Sequence, residues 1–261
     1  MKNYLSGFLL IIAIFITTAC TEKIDLKLRD AENKLVIEGN VTDQTGPYTV
    51  TLSKTRFYNQ NNTFETVSGA QIVINDDAGN TDTLLEIAPG IYNTNSTFLG
   101  QPGRTYQLLV TAESKTYTST CYMPFPISID TVTFEKLFLF GDTINRVFAV
   151  IKDPAGIANY YKGNTLNKGI RANRIRVQND LFNDGKIADI RLGTDDFLSG
   201  DTLTVELMSI SKTIYEYYNS LETNTTDGQS ASPANPTSNI TNGALGYFNA
   251  YSVRKKDVIA P

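Results

Sequence analysis

From Asn33 to Met123 the chain repeats one theme, a short run of alternating or β-branched residues closed by a turn. Tyr48, Val50 and Leu52 alternate with Thr49, Thr51 and Ser53. That period of two sends one set of side chains into a core and the other into water. Leu35-Val36-Ile37 precedes the turn residues Asp43 to Pro47, Ile72-Val73-Ile74 runs into Asp76-Asp77-Ala78-Gly79-Asn80, and Glu113-Ser114-Lys115 separates two further runs, the second ending at Cys121. About seven strands at roughly ten-residue spacing, with no helical stretch among them, predict an immunoglobulin-like β-sandwich over residues 33–124. Pro124-Phe125-Pro126 ends it, because closely spaced prolines do not fit a sheet interior.

A second β-rich domain is expected over residues 127–261. Ile129 to Phe134, Val147 to Ile151, Arg171 to Val177, Ile187 to Leu192 and Leu203 to Ile210 read as strands. One helix is expected at about 211–221. Thr213 and Glu216 have capping-box spacing, and Ile210, Ile214, Tyr217 or Tyr218, and Leu221 give it an apolar face. Thr223 to Ser238, rich in Asn, Thr, Ser and Pro, reads as a loop. Ala244 to Tyr251 should return as a strand that completes the second sheet. The fold class is therefore mainly β: two β-sandwich-like domains, the first immunoglobulin-like, with one short helix in the second.

Composition narrows the chemistry. The chain has no histidine and two cysteines, Cys20 and Cys121. That removes the commonest general base and the serine-histidine and cysteine-histidine nucleophiles, so catalysis would have to rest on carboxylates, tyrosines or lysines; the expectation is a protein without enzymatic activity, metal site or cofactor, with a carboxylate-dependent glycosidase as a rival. Cys121 lies in an alternating stretch and reads as a small buried apolar residue. A net charge of −4 with no basic patch argues against a nucleic-acid partner.

The N-terminus directs the chain to a membrane. A basic start at Lys2 leads into the apolar run Phe8 to Ile16, which closes on Thr17-Thr18-Ala19-Cys20. The run is too short to span a bilayer comfortably and ends on small residues before a cysteine, so residues 1–19 read as a lipoprotein signal peptide with Cys20 as the lipid attachment site, an uncleaved N-terminal membrane anchor being the alternative. Residues 20–32 form a polar tether, and the membrane is met through the N-terminal lipid anchor. Glu22 and Asp25, just behind Cys20, resemble the acidic export signals of surface-exposed Bacteroidota lipoproteins.

Several local patterns carry a choice of readings. Asn75 to Asp82 and Asn179 to Gly185 are rich in oxygen ligands, but the first lacks the distal glutamate of an EF-hand and both read better as turns. Asp195, Asp196 and Asp201 could flank a glycosidic bond, although a solvated loop is the better reading. Tyr215, Tyr217 and Tyr218 fit helix packing better than a ligand site. Four Asp-Thr-aliphatic triplets, with threonines Thr83, Thr131, Thr143 and Thr202, resemble the O-glycosylation acceptor motif of exported Bacteroidota proteins. The same pairs could simply open strands.

Five stretches, spread in order over nearly the whole chain after Cys20, carry a wider likeness: Gly46-Pro47-Tyr48-Thr49-Val50-Thr51-Leu52-Ser53, Val67-Ser68-Gly69-Ala70, Pro102-Gly103-Arg104-Thr105-Tyr106, Leu207-Met208-Ser209-Ile210-Ser211, and Asn239 to Phe248. They resemble a family of Bacteroidota lipoproteins catalogued as a domain of unknown function. The resemblance implies an outer-membrane lipoprotein whose gene commonly neighbours a TonB-dependent receptor, and hence an accessory or binding role in uptake with that receptor as partner. A structural subunit of an envelope assembly is the alternative. It implies no catalytic residues. Gly163-Asn164-Thr165 departs from the family pattern and is expected to interrupt the strand begun by Tyr160-Tyr161-Lys162.

Overall fold

The structure is a computed structural model that describes residues 33–56, 64–139, 141–226 and 235–261. The leader, Cys20 and the tether lie outside the described residues, as does the middle of the Thr223 to Ser238 segment. In chain order the strands are β1 (Leu35–Thr42), β2 (Thr49–Lys54), β3 (Gln71–Asp76), β4 (Thr81–Thr83), β5 (Leu85–Ala88), β6 (Ile91–Asn93), β7 (Thr105–Ala112) and β8 (Lys115–Tyr122). There follow β9 (Thr131–Leu139), β10 (Asp142–Lys152), β11 (Tyr160–Asn167), β12 (Ile170–Arg171), β13 (Val177–Asn179), β14 (Ile187–Arg191) and β15 (Thr202–Ser209). Helix α1 (Lys212–Thr226) and β16 (Leu245–Ile259) complete the described chain. The protein is mainly β, built as two sandwich-like lobes.

One long sheet, in the order β12-β11-β15-β16-β1-β2-β6-β5, runs through both lobes. The sheet β4-β3-β7-β8 packs on its first half, and the sheet β14-β10-β9 on its second. Burial on β1, β2, β3 and β7 alternates as the period of two requires, placing Ile37, Val50, Leu52, Ile72, Ile74, Tyr106 and Leu108 in the first core. In the second lobe Val147, Ala149, Leu203 and Val205 make one cluster, and Ile151, Tyr161, Ile190 and Leu207 another.

β16 belongs to both lobes. Its first half, from Leu245 to Tyr251, pairs in parallel with β1, and its second half, from Ser252 to Ile259, pairs antiparallel with β15. The returning strand expected to complete the second sheet thus first completes the N-terminal sandwich. Phe248 and Ala250 sit in that sandwich's core. Alternation along β16 then presents Tyr247, Tyr251 and Val253 to the opposite face, where α1 lies.

Four local expectations change, the first being that α1 runs on to Thr226, so Thr223 to Thr226 are helix rather than the start of the loop. β11 is continuous through Gly163, Asn164 and Thr165, pairing residue by residue with β15. Gly163 is what lets it pass: a Cβ there would fall 2.4 Å from Leu192 Cδ2. Arg171 to Val177 is not one strand, because Ala172 folds back to Thr165 through an N–H···O bond of 2.9 Å and splits the segment into β12 and β13. Finally, α1 is capped by Ser211, whose Oγ accepts the Ile214 N–H at 3.4 Å, two residues ahead of the expected Thr213.

Candidate functional site

Where the lobes meet, the end of β8, the Pro124 to Ile127 segment, the turn before β11 and the start of α1 enclose a cleft of about 510 Å³. Its wall is mainly apolar, from Tyr122, Phe125, Ile127, Ile157 and Tyr160, with Ser211 at the helix end. Phe125 and Ile157 remain 65% and 63% exposed, so their apolar surface faces the opening. A partly open, apolar cleft with few polar groups has the character of a small-ligand site. Cys121 forms part of the wall but is buried, with its sulfur accepting the Ala250 N–H at 3.2 Å. Burial pushes its thiol pKa up, which keeps it protonated and unreactive.

Beside the cleft three carboxylates converge, with ligand oxygens within 4.8 Å of one another: Asp153, Asp180 and Asp184. Each already accepts a bond from its own chain. Asp184 takes the Gly156 N–H at 2.6 Å, Asp180 the Asn159 N–H at 2.7 Å, and Asp153 the Gly185 N–H at 3.2 Å together with the Tyr161 hydroxyl. The cluster latches the turn at 154–156 to the loop at 180–185. The sequence marks the turn at Asn179 to Gly185 but gives no sign that it meets the 154–156 segment.

Under α1 lies an aromatic layer. Tyr217, Tyr218 and Tyr247 stand 5.0 to 5.6 Å apart between ring centroids, and Tyr160 lies 5.2 Å from Tyr215. The tyrosines pack, as the sequence indicates. Lys162 Nζ sits 3.8 Å above the Tyr218 ring. Burial first, then Arg171, brings its pKa down to about 8 against the opposing pull of Glu206. Glu206 is itself buried and holds Arg171 at 2.6 Å and Lys255 at 2.8 Å.

The sequence-derived candidates are dispersed. Thr83, Thr131, Thr143 and Thr202 are all exposed, and the last three stand at or next to the start of a strand. Asp195 and Asp196 line a separate cavity of about 240 Å³ with Phe197 and Ile170. Asp201 turns instead to the Leu198 N–H at 2.9 Å and Asn167 Nδ2 at 3.0 Å. The Leu198 N–H, with Asn167 and Lys168, holds its pKa below the usual carboxylate value, the reverse of what a general acid needs. The oxygen-rich stretch at 75–82 is a β3–β4 hairpin turn, in which Asp76 accepts the Ala78 and Asn80 N–H groups at 3.0 and 2.8 Å and pairs with Arg104 at 2.6 Å.

The fold and cleft define a two-lobed, mainly β chain of sandwich type. The chain belongs to the family described as Domain of unknown function (DUF4249), which it matches over residues 21–257. Among solved structures it is similar to a two fibronectin type-III domain segment from chicken tenascin, at 11% identity over 88% of this chain and 100% of that chain, with a TM-score of 0.24. None of the curated proteins matches it.

Proposed function

We propose that this protein is a non-enzymatic, lipid-anchored binding protein of the outer membrane that serves a TonB-dependent receptor in nutrient uptake. The observation that carries the reading is the leader, a short apolar run ending in Thr18-Ala19-Cys20, which is too short to span a bilayer and offers a thiol for acylation. Several acyl chains together hold a protein firmly where one does not. The receptor partnership rests on the family resemblance. The cleft between the lobes is the ligand site in this reading, and the exposed Thr83, Thr131, Thr143 and Thr202 carry sugar.

The anchor is tested by Cys20→Ser. The parent should incorporate labelled palmitate and fractionate with the envelope, and the variant should do neither; a variant that still does both overturns the reading. Pull-down from native membranes then tests the partner: a TonB-dependent receptor supports uptake, whereas secretion or assembly machinery replaces it with a scaffolding role. Intact mass of protein from its native host tests the sugars, since an unmodified mature mass excludes them.

A further inference from the structure

The second lobe gathers arginines from three separate stretches of chain, and the backbone shows how. Gly163 N–H donates to the Arg176 carbonyl at 3.2 Å, and Gly193 N–H donates to the Gly163 carbonyl at 2.9 Å. Gly193 also lies so close to the Arg174 carbonyl that a Cβ would come within 2.0 Å of it. Arg174 and Arg176 are thereby held against the end of β14, where Arg191 stands. On the other side, Arg191 is paired in register with Phe148 of β10, and Arg146 lies two residues along on the same face.

The charges in this group are only partly answered. Arg176 holds Glu222 at 2.7 Å, and Arg146 holds Glu135 at 3.3 Å. Arg146 Nε is buried without a hydrogen-bond partner. Arg174 is exposed, and among the described residues neither it nor Arg191 has a side-chain hydrogen bond or ion pair. Asp189 lies two residues from Arg191 on the same face of β14, yet no ion pair joins them. Burial, then the neighbouring Arg176 and Arg146, pull the Arg191 pKa below its ordinary value, with Glu222 opposing and Arg174 adding to the repulsion. Four guanidinium groups thus face two paired carboxylates in a chain whose net charge is −4. Planar guanidinium forks suit the oxygens of phosphate groups, which they grip in pairs of parallel bonds.

We propose that Arg146, Arg174, Arg176 and Arg191 form a binding site for a multiply charged phosphate-type oxyanion, carried by either a free phosphorylated ligand or a lipid headgroup. The site is distinct from the cleft between the lobes and does not depend on the uptake reading. Calorimetric titration of the full chain with pyrophosphate should show saturable binding that weakens as salt is raised. Arg191→Gln and Arg174→Gln should each weaken it about tenfold, whereas Lys115→Gln, at the start of β8 in the other lobe, should leave it unchanged. The exposed position of Arg174 makes its variant informative even if Arg191→Gln folds poorly. Short-chain phosphatidic acid, corrected with phosphatidylcholine of the same length, separates the two sources: tighter binding than pyrophosphate points to a headgroup, and weaker binding to a free ligand. Absence of pyrophosphate binding at millimolar concentration, or equal binding by both arginine variants and the parent, overturns the proposal.

Discussion

The two lobes share a sheet but are built on different principles. In the first, the buried polar residues among the described ones are Thr94, Ser119 and Asn249, the Asp43 and Asp76 carboxylates are covered in pairs with Arg254 and Arg104, and the core is aliphatic and aromatic. In the second, Asp153, Asp180, Asn164 and Glu206 are buried as well, each held by partners from elsewhere in the chain. Both lobes are stabilised by surface removed from water and both hold some charge in place, but the second carries more of it in its interior, at Asp153, Asp180 and Glu206. A buried ion pair adds little stability by itself but makes the loss of either partner costly. A lobe that keeps more such groups is a better place to seek binding chemistry than one that keeps fewer.

The contrast can be broken at several points. Phe248→Ala empties the first core at the strand both lobes use and should cost about 4 kcal/mol. Because β16 joins the lobes, denaturant unfolding followed by circular dichroism and by tyrosine fluorescence should stay a single transition; two transitions would show that the lobes are independent. Glu206→Ala leaves Arg171 and Lys255 facing each other without their buried carboxylate and should cost about 3 kcal/mol in the same assay. Ser119→Ala, which removes a 2.8 Å bond to the Asn239 carbonyl in the first lobe, should cost only about 1 kcal/mol. Equal losses for these two would erase the distinction.

Titration sharpens it further. Lys162 has a pKa of about 8 in the folded chain, whereas an unfolded lysine titrates near about 10.4. Between those values the unfolded state binds more protons, so stability should rise as pH increases across that interval, and Lys162→Met should abolish the rise while adding up to about 1 kcal/mol at neutral pH. Asp76 gives the same sign at the other end of the pH scale, but there the fold favours the charged form rather than opposing it. Burial would raise its pKa, but hydrogen bonds from Asn80, Arg104 and Ala78 outweigh that and lower it. Its contribution is present above the unfolded value of about 3.9 and is lost as pH falls through the folded one, so Asp76→Asn should flatten the acid limb of the stability profile. This is the smallest of the effects, and an unchanged acid limb would show that the hairpin turn does not depend on the charge.

The strands of the first lobe were legible because alternation is a local signal: Val50 and Leu52 point inward for the same reason that Thr51 points out. The parallel union of β1 with β16 was not, since its partners stand more than two hundred residues apart and leave no periodic trace. Helix α1 was visible in its apolar spacing, but its cap was misplaced because Thr213 and Ser211 are both suitable hydroxyls and only the path of the chain after β15 chooses between them. Gly163 suggested a break, yet the strand continues because Leu192 packs where a side chain would have been. Arg174 and Arg176 are close in sequence, but Arg191 and Arg146 join them only because Gly163 and Gly193 let the 174–176 stretch lie against the end of β14, which pairs with β10. Cooperation of that kind is written in tertiary contacts rather than in spacing.

The shared strand sets an order of assembly. β16 is synthesised after every element it joins, so the N-terminal half must wait for the far end of the chain before its sheet can close beside β1. Until then the edge of β1 that β16 will cover stays open, and a holding chaperone has a defined stretch of backbone to occupy.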